Sequence, residues 1–378
     1  MIYLDNAATS FPKPDSVWEA VVACGKHKGG NPGRSGHKLA AEAAREVFAA
    51  REAVAGLFNV SDSSRIIFTS NATVALNTAL NGFLREGDHV VTSSMEHNSV
   101  IRPLYALQQK KRITLTMVPC SSSGELDPDD VYRAVEPNTR LLVLTHASNV
   151  CGTILPIKLV KQRVPEIPLL VDAAQTAGIL PIDVVSMGID LLAFSGHKGL
   201  LGPMGTGGLY VAPEISLYPF ICGGTGSRSE SPEQPDFLPD ALESGTLNVP
   251  GLCGLRAGIE FIRGQEITAV RAYESGLMKI LLDGISGRKK IRLQGAGDPE
   301  RQIAVVSITM DGMDSADVAG RLDRQFGVAC RAGLHCAPEA HRTLGTFPQG
   351  TIRLSPSRFT TEDDMRETVR ALHIIESG

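Results

Sequence analysis

Three features of the sequence predict an α/β architecture. From Arg65 onward, apolar runs alternate with helix-patterned stretches, the runs being IIFTS, HVVTSS, ITLTMV, RLLVLTHAS, PLLVDAA, DLLAFS and GGLYVA. That alternation argues a mostly parallel, seven-stranded sheet with helices on both faces. Two of the runs end on reactive side chains, Asp172 and Lys198, about one crossover unit apart, and carboxyl ends of strands are where an open α/β sheet places its ligands. After residue 250 a second, smaller α+β unit follows.

Taken in order, residues 3–9 form a short strand-like segment and a turn, and Lys13-Pro14-Asp15 leads into an amphipathic helix over 16–26. GGNPGRSG at 29–36 is a turn-rich loop before an Ala-rich helix over 38–58, with His37 as a polar residue at its start. Helices over 73–84 and 99–111 follow the first two strands. Between 221 and 249 the composition shifts to Gly, Ser, Pro and acidic residues, a long surface segment of the kind that carries function or lacks order. A helix over 250–264 then leads away from the large sheet, followed by a strand over 303–310 and a helix over 315–326. Thr360-Thr361 ahead of Glu362-Asp363-Asp364 opens the last helix. The division this implies is a large domain over 15–250 and a small domain built from 1–14 and 251–378.

With 378 residues, 43% of them apolar and 21% charged, the chain can bury a sizeable core, and its net charge of −4 gives no reason to expect nucleic acid or an anionic membrane surface as partner. There is no basic leader and no run long enough to span a membrane, so a cytoplasmic location is expected. Seven cysteines without a Cys-x-x-Cys pair disfavour a disulfide framework and a zinc site, and no metal is expected.

Lys198 lies between Gly196-His197 and Gly199, where a tight turn would let a cofactor approach the backbone. A lysine becomes a useful nucleophile toward a carbonyl when burial or nearby cations favour its neutral form. Pyridoxal phosphate needs such a lysine to hold its aldehyde, and a carboxylate such as Asp172 against its pyridinium nitrogen. A phosphate dianion suits the helix that Asn71-Ala72-Thr73 opens, through the free amides and positive dipole end of that helix and the Thr73 hydroxyl, with Ala72 and Thr73 as the candidate contacts. An amino-acid substrate also needs its carboxylate fixed, for which the planar guanidinium of arginine is better than ammonium.

Val171-Asp172-Ala173-Ala174-Gln175 together with Ser195-Gly196-His197-Lys198 resembles the class V group of fold-type I pyridoxal-phosphate enzymes, and within it the cysteine desulfurases and selenocysteine lyases. The resemblance runs from Tyr3-Leu4-Asp5-Asn6-Ala7-Ala8-Thr9 to Arg353-Leu354-Ser355. It implies that His97 stacks on the pyridine ring and moves protons, that Asn149 and Gln175 bond near the ring oxygen, and that Ser195 and His197 complete the phosphate cup. It also implies a homodimer in which Thr246 reaches the partner's phosphate, and carboxylate binding by Arg353 and Arg331, with Arg358 as a competitor. Arg331-x-Gly333-x-His335-Cys336 resembles the loop of the short-loop desulfurases that carries the persulfide-forming cysteine. Two departures stand out: Val74 replaces a glutamate common in relatives, and Leu334 stands where some carry a second histidine.

The activity implied is conversion of L-cysteine to L-alanine with a persulfide on Cys336, for transfer to an acceptor protein as in iron–sulfur cluster assembly. His335 or the substrate's amine would generate the thiolate. L-selenocysteine is the alternative substrate, for a selenocysteine lyase. A class V aminotransferase would not need Cys336, and a non-enzymatic sulfur-trafficking scaffold would not need Lys198.

Overall fold

The computed structural model describes residues 1–33, 36–110 and 112–378. Seven strands form one sheet in the spatial order Ile66–Thr69, Gly207–Val211, Leu191–Ser195, Leu169–Asp172, Thr139–Thr145, Asp88–Ser93 and Ile113–Val118. Leu141 to Leu144 and Leu169 to Val171 are fully buried, as central strands covered on both faces must be. All pairings are parallel except those of Gly207–Val211, which runs antiparallel to both neighbours. That strand returns from Ser195 through residues 196–206, which contain no helix, and a parallel return would need a crossover.

The helices that carry the site are set by their caps. Asn71 Oδ1 accepts from Val74 N at 3.1 Å to open Ala72–Phe83, and His97 Nδ1 accepts from Ser99 N at 3.0 Å to open Asn98–Gln109. The expected end of the second helix at Lys111 lies outside the described residues, as do Arg34 and Ser35 of the Gly-rich loop. His37 caps Lys38–Leu57, its Nδ1 accepting from Ala40 N at 3.2 Å.

The helix Val249–Arg263 does not lead away from the large sheet: Leu252, Leu255, Ile259 and Ile262 lie in the same apolar core as the sheet. A second core joins Leu4 to the four-stranded antiparallel sheet of Arg331–Gly333, Thr351–Leu354, Val306–Met310 and Ile291–Gln294, covered by Ile267–Ile285, Ser315–Phe326 and Glu362–Ser377. The strand expected from residue 303 starts at Val306, because Ile303 and Val305 pack instead in a small cluster with Ala7 and Ala147. Thr361 and Asp364 form the capping box of the last helix.

The N-terminal segment ties the two cores together. Ile2–Tyr3 pairs in parallel with Val328–Ala329, Asp5 bridges to Ser355, and Ser10 N donates to His197 O at 3.1 Å. The segment 221–248 has no helix or strand, and is anchored by the buried pair Arg51–Glu243, whose two hydrogen bonds are 2.7 and 2.8 Å long. Among the described residues no helix is long and apolar enough to cross a membrane.

Candidate active site

The carboxyl ends of the parallel strands open on a cavity of about 270 Å³ lined by Ala72, Thr73, His97, Asn149, Asp172, Gln175, Ser195, His197 and Lys198. Asp172 is buried, and its Oδ1 accepts from Ala174 N at 2.9 Å. Burial raises its carboxyl above the ordinary range, against that bond and the Lys198 charge. A cationic N–H donor placed here would restore the ionised form.

Lys198 follows Leu191–Ser195 in a turn held by Gly196 N donating to Thr206 O at 2.8 Å and Leu201 N donating to Lys198 O at 2.9 Å. A Cβ on Gly196 would come within 2.1 Å of Thr206 Oγ1, and one on Gly199 within 2.5 Å of Ala177 O. Glycine at both positions therefore lets the turn pack closely against the protein, and Gly199 also lines a cavity with Lys198. Burial brings the Lys198 amine down to about 8, with Asp172 opposing and the Arg353 and Arg331 charges assisting.

At the helix start, Ser195 Oγ accepts from Ala72 N at 3.2 Å, and exposed Thr73 has its hydroxyl 2.7 Å from Ser99 Oγ. Thr9 Oγ1 lies 3.1 Å from His197 Nδ1, and Lys13 Nζ donates to His197 O at 3.1 Å. His97 is held neutral, its pKa lowered to about 4 by burial and then by Lys198, Arg353 and Arg102. Because its Nδ1 accepts from the Ser99 amide, the neutral ring carries its proton on Nε2. The side-chain amides of Asn149 and Gln175 each have one hydrogen engaged by protein, to His335 O at 2.7 Å and Ala7 O at 3.0 Å.

Arg353 is buried; Nη1 donates to Asn149 O at 2.9 Å, Nη2 to Asp5 Oδ1 at 3.0 Å, and Nε has no partner. Three of its five N–H groups are therefore uncommitted. Arg331 is exposed and donates twice to Asp5 Oδ2, at 3.1 and 2.9 Å. Arg358 is drawn elsewhere, with Nη2 donating to Gly178 O at 2.9 Å and its backbone N to Glu274 Oε1 at 3.0 Å.

Cys336 is an exposed free thiol on a loop whose backbone is pinned at the cavity: Asn98 N donates to Cys336 O at 2.7 Å, and Asn149 holds His335 O. Nearby Cys330 is largely covered, and burial pushes its thiol up to about 12. Thr246 is not among the cavity residues; it is exposed and lines a separate cleft of about 680 Å³ with Asn31, Arg51 and Glu243.

The Aminotransferase class-V family model matches residues 2–367. The chain belongs to that family. Among its class V relatives, a probable cysteine desulfurase of Methanothermobacter thermautotrophicus is 34% identical over 97% of this chain and 92% of the relative. A cysteine desulfurase of Yersinia pseudotuberculosis is 32% identical over 100% of this chain and 93% of its own. Of solved structures, the apo cysteine desulfurase of Thermococcus onnurineus superposes with a TM-score of 0.94 at 29% identity, covering 100% of this chain and 95% of that one. An S-sulfonic acid form of the Escherichia coli cysteine desulfurase CsdA gives 0.88 at 29% identity, covering 98% and 94%.

The class V cavity fits pyridoxal phosphate on its own chemistry. A buried carboxylate wants a cationic N–H, a lysine with lowered pKa faces the same space, and a helix start with the hydroxyls of Thr73, Ser99 and Ser195 beside it suits a dianion. Sequence reasoning missed Ser99, which connects Thr73 to His97, and Asp5, which ties Arg331 to Arg353. It also passed over Glu96, whose buried Oε1 accepts from Ser93 Oγ at 2.5 Å and Thr145 N at 2.9 Å while Oε2 has no partner. Local pattern did not signal them, since each has a partner that only the fold makes a neighbour: Thr73 for Ser99, Arg353 for Asp5 and Thr145 for Glu96.

Proposed function

We propose that this chain is a pyridoxal-phosphate-dependent cysteine desulfurase in which Cys336 takes the sulfur. The observation that carries the reading is the pinned, exposed thiol: Asn149 lines the cavity and at the same time holds the carbonyl beside Cys336. When bound, the cofactor supplies an electron sink for breaking bonds at the substrate's α and β carbons.

Lys198 holds the cofactor and, on release, is the amine placed to take and return the substrate's α proton; its pKa of about 8 keeps a neutral fraction at physiological pH. Asp172 keeps the pyridine nitrogen protonated, and neutral His97 covers the ring with a proton held at Nε2. Arg353, with free N–H groups, fixes the substrate carboxylate, and Arg331 approaches it from the exposed side of Asp5. The Cys336 thiolate forms an S–S bond to the substrate sulfur as the Cβ–S bond breaks. The bonding pair stays with carbon, which takes up a proton, so cysteine plus thiol gives alanine plus persulfide. Exposure of Cys336 leaves that persulfide open to the thiol of an acceptor protein.

The working unit is a homodimer in this reading, with Thr246 completing the partner's phosphate site. Its exposure and its place outside this chain's own cavity support the role. Incubating the loaded enzyme with cysteine, selenocysteine or an amino donor plus a keto acid tests the assignment by products. Alanine and sulfide from cysteine are expected; amino transfer to the keto acid without sulfur release would refute it.

A further inference from the structure

Behind Cys336 lies a chain of side chains that the sequence did not connect. Thr346 Oγ1 is 2.7 Å from His341 Nδ1, His341 Nε2 is 3.3 Å from His335 Nδ1, and His335 Nε2 is 3.4 Å from the carbonyl oxygen of Arg331. The two imidazoles are stacked with centroids 5.5 Å apart, and both histidines are buried. Burial lowers them to about 3 and about 4, so both are neutral.

The direction of the chain follows from its one fixed end. A carbonyl oxygen only accepts, so His335 Nε2 carries the proton and His335 Nδ1 is the acceptor. His341 Nε2 must then donate, which leaves His341 Nδ1 as acceptor for the Thr346 hydroxyl. Every ring nitrogen is thereby satisfied in one arrangement, from Thr346 to Arg331. Both nitrogens of His335 are committed, so the ring has no free nitrogen with which to deprotonate Cys336.

The loop needs such a brace. His335 and Cys336 both have left-handed backbones, with φ of 48° and 56°, a conformation that residues with side chains hold only when their surroundings impose it. The two carbonyls are pinned from the cavity side by Asn149 and Asn98, and Ala337 N closes the turn onto Leu334 O at 2.8 Å. The histidine chain holds the His335 side chain itself.

We propose that Thr346 and His341 are positioning residues for the sulfur-accepting thiol, acting through the His335 ring to fix the Cys336 loop in its left-handed form. This rests on the reading of Cys336 as the sulfur acceptor. Thr346→Val keeps the shape and removes the donor, leaving a buried nitrogen unpaired, whereas Thr346→Ser keeps the hydroxyl.

The test compares wild type, T346V and T346S in two assays. In the first, iodoacetamide alkylation of Cys336 in the loaded enzyme without cysteine is followed by peptide mapping. T346V changes that rate about threefold or more and T346S returns it to the wild-type rate; equal rates in all three, or no return in T346S, overturn the proposal. In the second, a single turnover with cysteine is followed by the early colour change of substrate binding and by sulfur added to Cys336. T346V slows sulfur addition about tenfold, as expected when a nucleophile is misplaced rather than removed, and leaves the colour change at its wild-type rate. Slowing of both steps alike would mark a general structural role and overturn the proposal. If wild-type Cys336 gains no sulfur while the alkylation pattern holds, the desulfurase reading fails and the brace stands.

Discussion

Glu96 offers a prediction whose size follows from its surroundings. Its carboxyl is completely buried, and burial pushes it up to about 8, aided by the charge of Asp172 and opposed by Ser93 and Thr145. In the unfolded chain the same group titrates at about 4.5. Between these values the folded protein holds a proton that the unfolded chain has lost, so the contribution to stability is full below about 4.5 and falls as pH rises to about 8. At about 1.4 kcal/mol per pH unit, the loss is about 3 kcal/mol by neutral pH and about 5 kcal/mol when complete. Glu96→Gln keeps an oxygen for Ser93 and Thr145 and has no proton to lose. Urea unfolding of the loaded wild type and E96Q at pH 5, 7 and 9 isolates the effect, because all other titrating groups are shared. The stability of E96Q relative to wild type is expected to rise between pH 5 and 8 and then level off. A difference independent of pH would show that Glu96 is ionised in the folded protein and would refute the reasoning.

Lys198→Ala should abolish the visible absorbance of the loaded enzyme, and covalent cofactor retained after the change would remove Lys198 from its role. In the wild type, capture of added cofactor by stripped protein should accelerate with pH to a plateau above about 8, where the amine is neutral; a rate still climbing toward the ordinary lysine range of 10.5 would contradict the burial effect. Arg353→Lys should raise KM for cysteine about tenfold or more with a smaller change in kcat, because a bidentate contact becomes a point charge; an unchanged KM would place the carboxylate elsewhere. Chains carrying Lys198→Ala mixed with chains carrying Thr246→Ala should regain about a quarter to half of wild-type activity through heterodimers, and sedimentation as monomer at working concentration would sink the shared site.

What the sequence made legible was whatever is local. Asp172 and Lys198 could be placed because an apolar run ending in a reactive side chain marks a strand end, and Thr361 because a capping residue precedes first-turn acids. The direction of Gly207–Val211 was hidden, since a buried strand is equally apolar whether it runs parallel or antiparallel. Val249–Arg263 was readable as a helix but not as part of the larger core, because its apolar face does not say which surface it meets. Asp5 illustrates the limit for the site: its partner Arg353 is 348 residues away, and only the pairing of the N-terminal segment with Ser355 brings them within 3.0 Å. The glycines beside Lys198 have a further reason that the sequence did not show, since a Cβ on Gly196 would meet Thr206 and one on Gly199 would meet Ala177.

The most direct test of the account is where the sulfur goes. Loaded wild-type enzyme exposed briefly to cysteine and digested without reductant should show one added sulfur on the peptide containing Cys336, the exposed thiol, and none on the largely covered Cys330. Cys336→Ala should bind cysteine with the same early colour change and release sulfur several orders of magnitude more slowly, as when a covalent nucleophile is lost. Alanine formed at the wild-type rate with the sulfur on Cys330, or on no cysteine, would contradict it.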